Sequence, residues 1–250
     1  MLGGKDNFAV DRQAGEMALR ITPDGPEAAV ANRAFLRRVV RYLVAEAGIH
    51  QFLDIGSGLP TQGNVHEIAH EIDKSVRVVY VDDDPMVLAH ANALLTEAET
   101  TTVVQADVRE PAAILDHPEV RKYIDFDQPV GLLLLGILHH LHDHEDPAGI
   151  AARLRAPLVP GSHLAISHFH NPGEAHPDAA RKALEVERIF NQTLGTGRWR
   201  THREILVYFG DLELLEPGLV PFAEWRPEAE QPPRQTDTYH TFIGGVARKR

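Results

Sequence analysis

Three aspartates, Asp54, Asp82 and Asp107, stand at or just after the ends of short apolar runs. If these runs are parallel strands, their carboxyl ends meet at one sheet edge, where α/β proteins bind small ligands. Asp82 lies 24 residues after Gly58, a spacing at which an acid commonly binds ribose hydroxyls through its two oxygens. Asp83 is a second candidate for this contact. The pattern therefore predicts a site for a ribose-containing ligand.

The first of these runs leads into a loop in which Gly56 and Gly58 flank Ser57. Glycines allow the backbone to turn sharply and to approach a ligand closely. A dinucleotide-binding loop would carry a third glycine at position 61, where this chain has Thr61, and Pro60 lacks an N–H that a pyrophosphate would need. The loop therefore favours a ligand with a ribose and no pyrophosphate, such as S-adenosylmethionine, over NAD.

Strand-like apolar runs alternate with helical patterns along most of the chain. This alternation predicts an α/β protein with a doubly wound, mostly parallel sheet that has helices on both faces and an antiparallel edge. Residues 1–27 show no clear periodicity and are interpreted either as a lid-like arm or as a loosely ordered terminus. The predicted strands span residues 52–55, 77–82, 101–105, 130–136, 162–168 and 240–247.

Histidines are concentrated immediately after the most apolar predicted strand, between His139 and His144. Imidazole is a good zinc ligand, so a metal site that also uses His168 is one interpretation. The pattern differs from the H-x-H-x-D-H motif of binuclear hydrolases, because position 144 is His and position 145 is Glu. We predict no metal ligands and interpret His140 and His168 as candidates to face a substrate and to serve as a general base.

Composition restricts the classes of partner. The 250-residue chain has a formal net charge of −11, which argues against nucleic acid and anionic membranes as partners. It contains no cysteine, and its longest apolar run, residues 130–138, is too short to cross a bilayer. We therefore expect a soluble, cytoplasmic protein with no membrane partner, and the sequence predicts nothing about its oligomeric state.

Several motifs together resemble the class I S-adenosylmethionine-dependent methyltransferases. More narrowly, the chain is similar to a bacterial S-adenosyl methyltransferase family that has been described as a domain of unknown function. Pro60 departs from the broader superfamily, where a third glycine is common. The motifs that carry the broad resemblance are 53–58, 81–82, 106–108 and 138–141, and those of the narrower family are 3–7, 32–38, 54–61 with Asn64, 80–85 and 216–220.

The resemblance implies a Rossmann-like, seven-stranded sheet with one antiparallel edge strand and an N-terminal helical arm. It also implies that Asp54 lies near the methionine amino group of the cofactor, that Asp82 binds the ribose, and that Asp107 with the Val108 amide binds adenine. Gly136 and Ile137 would lie beside the sulfonium. The full set of expected cofactor-binding residues is Asp54, Gly56, Ser57, Gly58, Leu59, Asp82, Asp83, Asp107, Val108, Gly136 and Ile137.

The chain is expected to form one domain with three parts: an N-terminal arm and helix (1–48), a cofactor-binding core (49–170) and an acceptor-side region (171–250). The predicted function is transfer of a methyl group from S-adenosylmethionine to an unidentified small molecule. Two alternatives stay open at this point. One is a sensor or scaffold that binds the cofactor without catalysis, and the other is a hydrolase that uses a histidine-ligated metal.

Overall fold

The apolar runs form one mixed sheet in the computed structural model of the chain, which describes residues 9–58, 63–94, 99–227 and 235–250. The strand order is β3-β2-β1-β4-β5-β8-β6, and β7 also pairs with β8. The strands are β1 (Gln51–Ile55), β2 (Arg77–Asp82), β3 (Thr101–Gln105), β4 (Gly131–Leu135), β5 (His163–Phe169), β6 (Glu213–Leu214), β7 (Val220–Pro221) and β8 (Phe242–Arg248).

The first five strands are parallel, and the pairing of β8 with β5 is antiparallel. The predicted fold class is therefore confirmed. The sheet has eight strands instead of seven in the described part of the chain, because two strands of only two residues each pair with β8. The strand order reverses between β1 and β4, and ligands of doubly wound sheets bind at such a reversal, beyond the carboxyl ends of the strands.

Helices cover both faces of the sheet. Every residue of β1 is buried, and its side chains alternate between two cores. Phe52 packs with residues of α2 and α3, such as Val39 and Ile68. Leu53 and Ile55 pack in the opposite core. The helices are α1 (Ala9–Ile21), α2 (Gly25–Ala45), α3 (Val65–His70), α4 (Pro85–Leu94), α5 (Pro111–Leu115), α6 (Pro118–Tyr123), α7 (Pro147–Arg155), α8 (Pro177–Thr193) and α9 (His202–Leu206).

The N-terminal arm differs from the irregular segment that its sequence pattern suggested. Ala9–Ile21 is a helix, which the pattern of residues 1–27 did not predict, and it packs along α8. Ala18 belongs to a separate apolar cluster with Ala183, Val186 and Trp199. This tertiary contact stabilises the helix, and it joins residues that lie about 165 positions apart along the chain. Residues 3–7, which carry one family motif, lie outside the described residues.

None of the helices in the described ranges combines the length and the apolarity that a membrane crossing requires.

Candidate active site

The glycine loop after β1 is closed against the end of β4. The N–H of Gly56 donates a hydrogen bond of 2.8 Å to the carbonyl of Val81 at the end of β2. Gly56 has a φ of +74°, and a Cβ at this position would lie 2.7 Å from side-chain carbons of Ile137. Only glycine fits here, because the conformation is left-handed and the adjacent strand end occupies the space.

Asp82 joins the glycine loop to the end of β2. Its Oδ2 accepts a hydrogen bond of 2.8 Å from the N–H of Gly58, and its Oδ1 accepts one of 3.1 Å from the N–H of Asp84. Burial raises the pKa of Asp82, whereas these two backbone donors lower it. Each carboxylate oxygen has a further lone pair, so the group can hold the loop and accept from a ligand at the same time.

A small cleft of about 30 Å³ lies at this edge of the sheet. Six of the cofactor-binding residues predicted from the sequence line this cleft: Gly56, Asp82, Asp83, Asp107, Val108 and Ile137. A seventh, Gly58, donates a backbone hydrogen bond to the Asp82 side chain. Ser57 follows Gly56 directly and its N–H donates to Val81 at 3.3 Å. Leu59 lies outside the described residues.

Arg109 is a wall of the cleft that sequence reasoning missed. Its backbone N–H donates to Asp107 Oδ1 at 2.8 Å, and its guanidinium contacts both Asp107 at 3.1 Å and Glu145 at 2.5 Å. These ion pairs raise the pKa of the Arg109 guanidinium and lower that of Glu145. The only signal in the sequence was the position of Arg109, two residues after a strand-end acid.

Asp54 is buried inside the sheet, next to the glycine loop. Burial raises its pKa to about 7, and Asp82 acts in the same direction, while the nearby Arg33 opposes the shift. A buried carboxyl group with a raised pKa is expected where a ligand cation will later compensate its charge. Asp54 is not among the residues that line the cleft.

A second and larger cavity, of about 360 Å³, opens beyond the carboxyl ends of β4 and β5. We call it the aromatic cavity, because five of its lining residues are Phe169, Phe190, Trp199, Phe222 and Phe242. Gly136 lines this cavity, and the next residue, Ile137, lines the small cleft. The two spaces therefore adjoin at the end of β4.

His140 and His168 both line the aromatic cavity. Burial and the charge of Arg109 lower the pKa of His140, so it is neutral at pH 7. His168 hydrogen-bonds through Nδ1 to the carbonyl of Phe169 at 2.6 Å, and its Nε2 faces Arg200 Nη1 at 3.4 Å. Because both of its ring nitrogens have partners, the His168 ring connects Arg200 to the backbone of β5. Burial is the largest of the effects that lower the pKa of His168 to about 3.

The remaining histidines of the sequence cluster form two groups: His139 lies near His140 and His168, at ring-centroid distances of 4.5 and 5.5 Å, and His142 stacks on His144 at 5.5 Å. His139 stacks on Phe169 at a centroid distance of 3.4 Å, whereas His142 hydrogen-bonds the carbonyl of Gly195 at 2.8 Å. Over residues 9–58, 63–94, 99–227 and 235–250, no group of three or more His, Asp or Glu side chains is arranged to hold a metal ion. The structure thus gives the metallohydrolase interpretation no support.

Comparison with known proteins identifies the family. The sequence profile of the S-adenosyl methyltransferase family matches residues 1–250. The chain belongs to this family. It is therefore a methyltransferase that uses S-adenosylmethionine, as the motifs predicted. No curated protein matches the chain.

Solved structures agree with this assignment. A methyltransferase candidate from Thermobifida fusca YX is 44% identical, with a TM-score of 0.92, and the match covers 100% of this chain and 91% of that one. A DUF574 family protein from Streptomyces avermitilis MA-4680 is 40% identical, with a TM-score of 0.91 and coverages of 100% and 94%. A SAM-dependent methyltransferase from Anabaena variabilis ATCC 29413 is only 17% identical, with a TM-score of 0.58 and coverages of 98% and 96%, and supports the fold alone.

Proposed function

We propose that this methyltransferase acts on a small molecule that binds in the aromatic cavity. The observation that carries the proposal is that two consecutive residues line the two spaces, Gly136 the aromatic cavity and Ile137 the cleft. A cofactor in the cleft would have its reactive end beside these two residues, and an acceptor in the cavity would approach from the other side. Holding two reactants at such a junction is the main contribution a protein makes to a displacement reaction.

The cleft residues fit the cofactor. Asp82, with Asp83 beside it, would accept from the ribose hydroxyls, and Asp107 with the Val108 N–H would bind the adenine edge. Asp54 would bind the amino group, because its raised pKa reflects a buried carboxyl group without full charge compensation. The backbone of Gly56, Ser57 and Gly58, followed by Leu59, would pack on the cofactor, since a Cβ on Gly56 would fill that space.

S-adenosylmethionine supplies a methyl group on a sulfonium, which is transferred by in-line displacement. The chain itself contributes orientation and exclusion of water from the apolar cavity. Where the acceptor must lose a proton, His140 is the better candidate base, because it is neutral and lines the cavity. His168 is better suited to positioning, because both of its ring nitrogens are already hydrogen-bonded or paired.

Composition and the size of the cavity support a small acceptor and a soluble enzyme. The net charge of −11 disfavours nucleic acid, and the aromatic cavity is of a size that accommodates a small molecule. The lack of cysteine agrees with a cytoplasmic location. The cavity takes residues from all three predicted parts of the chain, 1–48, 49–170 and 171–250, which supports their treatment as one domain.

Calorimetric titration of S-adenosylmethionine, S-adenosylhomocysteine and NAD tests the cofactor site. We expect the two sulfur compounds to bind and NAD to fail. Acceptor turnover is then measured as formation of S-adenosylhomocysteine in the presence of a panel of small aromatic compounds. Tight cofactor binding with no turnover for any compound would favour the sensor interpretation. Binding of NAD alone would overturn the proposal.

A further inference from the structure

Three buried polar atoms that line the aromatic cavity have no hydrogen-bond partner among the described residues. They are Asn32 Oδ1, His139 Nδ1 and Ser167 Oγ. Buried polar groups are nearly always paired in folded proteins, so unpaired ones in a cavity indicate where a ligand places its own polar group. Asn32 comes from α2, His139 from the turn after β4, and Ser167 from β5, so no single motif contains them.

These three residues surround Gly136. A Cβ on Gly136 would lie 3.7 Å from His139 Cε1 and 3.9 Å from Asn32 Nδ2. The N–H of Gly136 donates to the carbonyl of Ser167 at 3.1 Å. The polar end of the cavity is therefore the end that adjoins the cofactor cleft.

Apolar and aromatic side chains form most of the remaining wall of the cavity. Trp199 stacks on Phe169 at a centroid distance of 4.2 Å, and Phe190, Phe222 and Phe242 complete the aromatic walls. The two charged residues of the lining, Lys182 and Asp237, pair with each other at 2.7 Å. Aromatic walls favour a planar ligand. Because Lys182 and Asp237 neutralise each other, the cavity has no unpaired charge among these two residues to bind a charged ligand.

The polar groups complement a hydroxyl. Asn32 Oδ1 can only accept, whereas the Ser167 hydroxyl and the Nδ1–H tautomer of His139 can donate. A ligand hydroxyl has one proton to donate and two lone pairs, so it can satisfy all three groups. A carboxylate would place acceptors against Asn32 Oδ1, and a hydrocarbon would leave all three groups unpaired.

We propose that the acceptor is a flat, uncharged, largely apolar molecule whose hydroxyl group is held by Asn32, His139 and Ser167 at the end of the aromatic cavity beside Gly136. This inference rests on the proposed function. It adds three acceptor-binding residues and a substrate class to the cofactor site.

The test uses three probes of one shape, 2-naphthol, 2-methylnaphthalene and 2-naphthoate, with the protein saturated with S-adenosylhomocysteine. Dissociation constants are measured by ligand-observed NMR. We expect 2-naphthol to bind about tenfold or more tightly than either other probe, because a site built for a hydroxyl rejects analogues that lack it. In Ser167→Ala and in Asn32→Leu this preference should fall to about threefold or less, while binding of 2-methylnaphthalene stays within about threefold of wild type.

Thr101→Val is the matched control, because the Thr101 hydroxyl is also buried and unpaired but does not line the cavity. It should leave the preference unchanged. The inference is wrong if 2-naphthol fails to bind at about 1 mM, if 2-naphthoate binds best, or if the preference survives in both cavity variants. Failure of S-adenosylhomocysteine to bind, measured first and without any probe, would instead refute the cofactor assignment. Loss of its affinity in the two cavity variants would assign these residues to the cofactor.

Discussion

The backbone N–H of Gly58 and the carboxylate of Asp82 are joined by a hydrogen bond of 2.8 Å. This bond connects the glycine loop after β1 to the acid at the end of β2. The residue that would bind the ribose therefore also holds the loop against which the cofactor would pack. One carboxylate would therefore both fix the loop conformation and bind the ribose.

Replacement of Asp82 by alanine should remove both roles, whereas replacement by asparagine should keep part of the loop contact. We expect Asp82→Ala to weaken binding of S-adenosylhomocysteine by about tenfold to 100-fold, because it would remove the proposed charge-assisted bonds to the ribose hydroxyls and would release the loop. Asp82→Asn should fall between Ala and wild type, since its amide oxygen can still accept from Gly58. Calorimetry gives the affinities. Asp127→Ala, at an exposed acid near the amino end of β4, is the control and should bind as wild type does.

Gly56→Ala should destabilise the protein more than Gly63→Ala does. Both glycines have a similar positive φ, +74° and +75°, but only at Gly56 would the new Cβ meet another residue, Ile137, at 2.7 Å. We expect about 1 kcal/mol of lost unfolding free energy for Gly63→Ala and about 2–4 kcal/mol for Gly56→Ala. Urea denaturation measures both. Equal losses would show that Ile137 moves aside without cost.

Asp54 should make the stability of the ligand-free protein depend on pH. Its pKa is raised from 3.8 to about 7, so the folded state holds a proton that the unfolded state has released. Stability from this group is therefore complete below about pH 4, falls as the pH rises to about 7 and is level above, with a total change of up to about 4 kcal/mol. Asp54→Asn should flatten this part of the profile and bind S-adenosylmethionine less tightly. Parallel profiles for the two proteins would contradict the assignment.

Arg200 should be a strong determinant of the conformation of the histidine segment. Its buried guanidinium donates to the carbonyls of Leu138 at 3.2 Å and Leu141 at 2.7 Å, and also to Asp143 at 2.8 Å. We expect Arg200→Met to lower the unfolding free energy by about 2–4 kcal/mol, because the buried carbonyl of Leu141 loses the Arg200 donor and the carbonyl of Leu138 keeps only the N–H of Leu141, at 3.3 Å. Thermal and urea unfolding provide the measurement.

Arg153→Met is the control for that substitution, because the Arg153 side chain is exposed and its nearest acidic partner, Asp146, is 3.8 Å away. Its effect should stay within about 0.5 kcal/mol of wild type. If Arg200→Met were equally mild, the turn after β4 would be held by its neighbours, and Arg200 would not position the histidines.

The strand ends, the glycine loop and several helix starts were predictable because their causes are local. An aspartate followed by proline is a common helix start, and the helix that begins at Pro85 follows Asp84, whose carboxylate accepts from the N–H of Met86 at 2.8 Å. Glu67 accepts from the N–H of Asn64 at 2.8 Å, as the spacing of a capping box requires. Each of these features depends on residues within a few positions of one another.

The sequence by itself thus determined the fold class, the family and the edge of the sheet where Asp82 and Asp107 would meet. Only the tertiary structure decided that α1 is a helix packed on α8 and that Gly136 lines the aromatic cavity. It also decided that Arg109 pairs with Glu145 and that Arg200 pairs with Asp143. The reason is physical. Periodicity and turn chemistry act over a few residues, whereas a cavity is formed by side chains from distant segments, whose pairing depends on how the whole chain packs.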